Sequence, residues 1–135
     1  HSDHPMILDE CMDDLRTLIR GYNDSAMDVI NLKINRVGGL TKARQFRDLC
    51  VSMGITMTIE DTWGGEIATS AIAHLAHSTP KGYHFQSSAF HEYHSLEIAS
   101  GGPKIEDGYM IASDRPGLGV TPNMDVLGTP VSVIK

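Results

Sequence analysis

Short runs of β-branched and aliphatic residues alternate with stretches of helical apolar spacing about every 25 residues, for four rounds. Nothing else in the chain restricts its fold as much, because strands that each hand over to a helix lie parallel in one sheet. Met6-Ile7-Leu8 reads as the first strand, ending in Asp9-Glu10, and Met12, Leu15, Leu18, Ile19 and Tyr22 then follow at helical spacing. Val29 to Ile34 reads as a second strand stopping before Gly38-Gly39. Thr41 is the expected cap of a helix carrying Ala43, Phe46, Leu49, Cys50 and Met53, with Gly54 in the left-handed position at its end. Ile55 to Ile59 reads as the third strand, and Glu66 opens a helix with Ile67, Ala68, Ala71, Ile72 and Leu75 on one side. Tyr83 to Gln86 reads as a weaker fourth strand and Phe90 to Ala99 as a short helix.

Four βα units make half of a (β/α) barrel, which needs eight strands and about 250 residues. The expected fold class is α/β: half of a TIM-type barrel, about four parallel βα units, followed by an extended C-terminal tail. An open four-stranded sheet is the rival, and it leaves two edges uncovered. Residues 1–100 are expected to form the half-barrel and 101–135 the tail. Within the tail, Glu106 to Ser113 reads as one extended segment and Arg115-Pro116-Gly117-Leu118-Gly119-Val120 begins a Pro/Gly-punctuated run. The opening His1-Ser2-Asp3-His4-Pro5 has no initiator Met and reads as a chain that begins inside something larger.

Composition narrows the partners. The 135 residues, 41% hydrophobic and 21% charged, suit one globular domain and not a disordered chain. Eleven basic against seventeen acidic residues leave a net charge of -6 with no Lys/Arg cluster, which disfavours nucleic acid. No apolar stretch approaches the roughly 18 residues of a membrane span. Cys11 and Cys50 lack C-x-x-C spacing, so a reducing, cytoplasmic setting is expected.

Reactive groups in parallel βα proteins sit at the C-terminal ends of the strands. Those ends carry Asp9 and Glu10, then Asn31, Lys33 and Asn35, then Glu60 and Asp61, then Gln86 to Ser88. Strand alternation puts Val29, Asn31 and Lys33 on one face and Ile30, Leu32 and Ile34 on the other. If the apolar set packs on helices, Lys33 points into the barrel, either as a structural partner to a carboxylate or as a base whose pKa is lowered by burial and nearby cations. Asp9 is either a helix N-cap or a carboxylate suited to Mg²⁺. His74 with His77, and His91 with His94, are spaced one residue short of the zincin motif, so helix-surface histidines are expected rather than a zinc hydrolase. Gly38-Gly39 and Gly64-Gly65 lack the companions of a phosphate-binding loop, and Trp63 either walls a pocket or packs its own loop.

Taken together, Ile7-Leu8-Asp9-Glu10, Lys33 within Asn31-Leu32-Lys33-Ile34-Asn35-Arg36-Val37-Gly38-Gly39-Leu40-Thr41, Asp61-Thr62-Trp63-Gly64-Gly65, and Gly117-Leu118-Gly119-Val120-Thr121-Pro122 resemble a known pattern. It is the C-terminal half of the mandelate racemase/muconate lactonizing enzyme family of the enolase superfamily, in its muconate lactonizing branch. The Glu60-to-Gly65 stretch resembles members acting on proline derivatives, hydroxyproline dehydratases and proline-betaine racemases or epimerases. The resemblance implies that Asp9 is a Mg²⁺ ligand and that Lys33 is an acid/base lysine working on the proton α to a carboxylate. It implies that Asp61 meets a substrate ammonium and that Gln86 and Ser88 line the pocket, with Glu10, Asn31 and Arg36 behind them. Arg36 is then a partner for a carboxylate and not a reacting group.

The same resemblance implies parts that this chain does not carry: two further metal ligands, a second base in a Lys-x-Lys, and a capping domain on which residues 101–135 would pack. The expected function is thus a segment of a Mg²⁺-dependent racemase, epimerase or dehydratase for a small carboxylate, inert by itself. It would need its missing N-terminal half or a second copy of the chain. The alternative is a non-catalytic half-barrel that self-associates.

Overall fold

The computed structural model describes residues 3–134. Its elements in chain order are β1 (Ile7–Leu8), α1 (Leu15–Asn23), β2 (Val29–Lys33), α2 (Leu40–Met53), β3 (Thr56–Glu60), α3 (Gly65–His77) and β4 (His84–Ser87). There follow β5 (Ala99–Ser100), β6 (Lys104–Glu106), β7 (Tyr109–Ile111), β8 (Thr121–Pro122) and the single turn α4 (Met124–Leu127). The first four strands form one parallel sheet in the order β1-β2-β3-β4. This is the half-barrel expected from the alternation, with an α-helix after each of its first three strands.

One face of that sheet meets the helices. Ile30, Leu32, Met57 and Ile59 are all fully buried there, in a core with Ala43, Phe46, Cys50, Ile72 and Leu75. The opposite face carries Asn31 and Lys33 of β2, Thr58 and Glu60 of β3, and Gln86 of β4. Asn31, Thr58 and Gln86 are register partners across the three strands, and Lys33 pairs with Glu60 one step further on.

Local chemistry sets the helix ends, and two of them differ from expectation. The side chain of Asp14, rather than Asp9, caps α1 by accepting a hydrogen bond from Thr17 N–H at 2.7 Å, which leaves Asp9 free of that duty. Thr41 lies inside the first turn of α2, and the cap is Gly39 at φ 102°, a conformation that glycine adopts without strain. Gly54 ends α2 in the left-handed conformation, as its position suggests. Met12 and Leu18 are buried, whereas Leu15, Ile19 and Tyr22 of the expected apolar stripe are exposed by 38%, 43% and 49%, so α1 has an uncovered apolar flank.

The second half of the chain departs further. Phe90 to Ala99 is not a helix: only Phe90–Tyr93 makes a 3₁₀ turn. The N–H groups of Ile98 and Ala99 are taken by the Glu66 carboxylate, at 2.9 and 3.2 Å, and Ala99 then pairs with Pro122 across β5 and β8. Glu106 to Ser113 is not one extended segment but the turn and return arm of the β6–β7 hairpin. The chain reverses at Asp107-Gly108, both at positive φ (51° and 79°), the backbone a tight hairpin requires. Met110 and Leu118 of this region pack against the core, and His74 Nε2 lies 3.3 Å from Leu118 O.

Candidate functional site

The C-terminal ends of β1, β2 and β3 bring four charged side chains together. Lys33 ends the strand between the other two, and its amine is nearly enclosed, with a side chain 10% exposed. Its Nζ lies 2.8 Å from Asp9 Oδ1, 2.9 Å from Glu10 Oε1 and 3.6 Å from Glu60 Oε1. Asp9 and Glu10 approach from the β1 side and Glu60 from the β3 side. The expected inward placement of Lys33 on the same side as Asp9 is therefore what the structure shows.

Of the two readings open for this lysine from sequence, its surroundings match the partner to carboxylates and not the lowered pKa. Burial by itself would pull its pKa down, but hydrogen bonds to Asp9 and Glu10 and the charges of Asp9 and Glu60 outweigh it, leaving Lys33 above the ordinary lysine value. Arg36 is the cation nearby, held on the far oxygen of Glu10, and the groups in contact with the amine are carboxylates. Glu60 is shifted the other way from most paired carboxylates. Burial pushes it up, the Lys33 charge only partly offsets this, and the Asp9 and Asp61 charges add to the rise. Glu10 sits lower than usual because both Lys33 and Arg36 donate to it. Arg36 makes an ion pair with Glu10 and also donates to the Glu10 backbone oxygen at 3.0 Å, so it fastens the turn after β1 to the turn after β2.

The turn after β3 is the second part of the rim. Asp61 is 3% exposed; its Oδ1 accepts the Trp63 N–H at 2.9 Å, and its buried Oδ2 has no hydrogen-bond partner. An unpaired buried carboxylate oxygen costs free energy unless something meets it. Trp63 has φ 71°, rare for a bulky residue, and its indole stacks on Phe90 with Tyr93 and His94 close by. Asn35 donates to the Thr62 hydroxyl, tying the turn after β2 to this one.

The remaining sequence candidates are less tightly joined. Asn31 and Gln86 lie one register step below the Lys33–Glu60 pair, Gln86 being exposed near the open edge of β4. Ser88 follows β4 with its buried hydroxyl unpartnered. Sequence reasoning placed Glu60 at a strand end without giving it a role, and did not see Phe90, Tyr93 and His94 gathering on Trp63. The strand-end position was the available signal for Glu60. The aromatic cluster had none, since it depends on two turns meeting.

A metal fits this site only in part. Asp9 offers the hard oxygen that magnesium prefers, and its Oδ1 already faces a cationic nitrogen at 2.8 Å. Among the described residues, however, no group of three or more His, Cys, Asp or Glu side chains is arranged to hold a metal ion, and the carboxylates gathered here surround an amine instead. The donor chemistry of Asp9 suits magnesium.

The family model of enolase C-terminal domain-like proteins matches residues 1–126. The chain belongs to that family. A cis-3-hydroxy-L-proline dehydratase of Roseibium aggregatum is 58% identical to it over 128 residues, covering 95% of this chain and 35% of the dehydratase. A crystal structure of a mandelate racemase/muconate lactonizing enzyme from Roseovarius nubinhibens superposes with a TM-score of 0.93 at 43% identity, covering 97% of this chain and 36% of that one. Another enzyme of that description from the same organism, 34% identical, was solved complexed with magnesium; the TM-score is 0.92, over 97% of this chain and 36% of that one. The chain thus spans about a third of the length of these enzymes, and the half-barrel is the C-terminal part of the fold.

Proposed function

We propose that this chain is the C-terminal part of a dehydratase acting on a cis-3-hydroxyproline-type amino acid, with Lys33 as the proton-transferring group and Asp9 as one ligand of a magnesium ion. The observation that carries the proposal is the convergence of Asp9, Lys33 and Glu60 at adjacent strand ends. The 58% identity to the Roseibium dehydratase supports the choice of substrate class over the racemases and epimerases of the same family.

In the reaction the bond from Cα to hydrogen breaks, its electron pair forms a double bond to Cβ, and the β-hydroxyl leaves as water once protonated. A carbon acid beside a carboxylate is too weak for an amine alone, and bound magnesium supplies the positive charge that the departing proton leaves unbalanced. Lys33, whose carboxylate neighbours favour its ammonium form, is in this reading the group with a proton to give. Before it can take one it must lose that proton, which Asp9 and Glu10 oppose. In this reading Asp61 accepts the ring ammonium of the substrate, which its buried, unpartnered Oδ2 supports. Gln86 and Ser88 bound the pocket on the β4 side, while Glu10 and Arg36 hold the β1 turn, with Asn31 beneath.

The unpaired edges of β1 and β4 and the uncovered flank of α1 are, in this proposal, where the other half of the barrel attaches; residues 101–135 reach toward a capping domain. One amine and one metal ligand leave the 135-residue chain inactive by itself. Both cysteines are free thiols, and burial pushes Cys50 up to about 12, which suits a reducing cytoplasm. Among the described residues no helix is long and apolar enough to cross a membrane.

The test is incubation of the complete enzyme bearing this segment with cis-3-hydroxy-L-proline in deuterium oxide. Loss of the Cα hydrogen together with loss of the hydroxyl is expected. Deuterium entering Cα with the hydroxyl retained would replace the dehydratase by a racemase or epimerase, and no exchange at all would overturn the proposal.

A further inference from the structure

We propose that Glu60 is the positioning residue for the Lys33 amine, holding it from the side opposite Asp9; its catalytic consequence rests on the role proposed for Lys33 above. Lys33 has three anionic neighbours, and they are not equivalent. Glu10 is 68% exposed and shared with Arg36, so its attraction is screened by water and divided. Asp9 is 37% exposed, and its oxygens are the ones proposed to turn toward a metal. Glu60 is 14% exposed and pairs with Lys33 alone among the described residues.

The sheet fixes this arrangement. β2 lies between β1 and β3, so the amine at its end has Asp9 on one flank and Glu60 on the other. Lys33 and Glu60 are direct register partners, so the backbone sets their Cα atoms side by side and sends both side chains from the same face of the sheet. At 3.6 Å the contact is longer than a hydrogen bond, a charge contact that leaves Nζ able to pivot. The charge of Glu60 adds to the hold on the amine after the closer contacts with Asp9 and Glu10, and it comes from the one side they do not occupy. Without Glu60, no carboxylate of the described residues on the β3 flank is in ion-pair contact with the amine to balance Asp9 and Glu10. The amine then settles on those two, away from the position from which it would meet a substrate held by Asp61. Asp61 adjoins Glu60 in the chain, so one short segment places both the substrate anchor and the amine.

Two readouts separate this placement from the enzymatic proposal. In the 135-residue chain with ¹⁵N-labelled lysine, the Lys33 ammonium signal is assigned by its disappearance in Lys33→Met. It is expected to be sharp in the unaltered chain, broadened in Glu60→Gln and partly restored in Glu60→Asp. In the complete enzyme, Glu60→Gln is expected to lower kcat by roughly 10- to 100-fold, while KM stays within about threefold, and Glu60→Asp recovers part of the loss. An unchanged ammonium signal in Glu60→Gln overturns the placement. A changed signal with an unaltered kcat overturns its catalytic consequence. An inactive complete enzyme whose ammonium signal responds as expected supports the placement and counts against the function of Lys33 instead.

Discussion

The indole of Trp63 lies on the ring of Phe90, with centroids 4.9 Å apart and planes inclined by 18°, so the turn after β3 is clasped to the turn after β4. Trp63 is the one tryptophan of the chain and therefore reports on this clasp directly. Phe90→Ala is expected to shift its fluorescence emission toward that of a solvated indole and to cost about 1 kcal/mol in stability, the usual worth of an aromatic pair. An emission spectrum identical to that of the unaltered chain would show that the stack does not persist in solution.

The backbone of the same turn is tightly confined. A Cβ at Gly64 would lie 2.2 Å from the Cβ of Ala68, which α3 holds in place. Gly64→Ala is therefore expected to destabilise the chain by about 2 kcal/mol and to displace Trp63. Urea denaturation gives the first quantity and tryptophan emission the second.

Glu66 ties the far segment to α3. It is 6% exposed and accepts two backbone N–H groups, from Ile98 and Ala99. Glu66→Ala leaves both donors without their acceptor and is expected to cost about 3 kcal/mol, whereas Glu66→Gln, which keeps an acceptor oxygen, costs about 1 kcal/mol. Limited proteolysis between residues 97 and 103 should accelerate in the alanine variant and stay near the original rate in the glutamine variant.

Lys33 gives a signed pH dependence. Its folded pKa stands above the ordinary 10.5, so its stabilising contribution is complete below about pH 10.5 and disappears as pH rises through the folded value. Lys33→Met is expected to cost about 2 kcal/mol near neutral pH, discounted for the exposure of Asp9 and Glu10. The gap between the two proteins should close under alkaline conditions. Denaturation series from pH 7 upward would detect this, and a gap independent of pH would refute it.

Strand alternation made Lys33 legible from sequence: Ile30, Leu32 and Ile34 needed helices to cover them, and Lys33 had to face the other way. Asp9 was legible only as one of two alternatives, and the capping of α1 by Asp14 removed the competing one. The Lys33–Glu60 pair was not legible, because parallel strands are aligned across a whole helix and no local signal sets their register. The raised pKa of Lys33 followed from the same omission, since its sign depends on which neighbours arrive. Asp107-Gly108 did carry a local turn signal, masked by the apolar residues on either side. Phe90 to Ala99 lacked one: its last two N–H groups, of Ile98 and Ala99, go to Glu66 far back in the chain, a contact that no local pattern announces.

The β1-β2-β3-β4 order bears on how the molecule is made. Each strand adds beside the one translated just before it, so no pairing in the parallel sheet waits for a later segment to emerge from the ribosome. Assembly of these four strands can keep pace with their synthesis, while the outer margins of β1 and β4 stay open for neighbours other than one another.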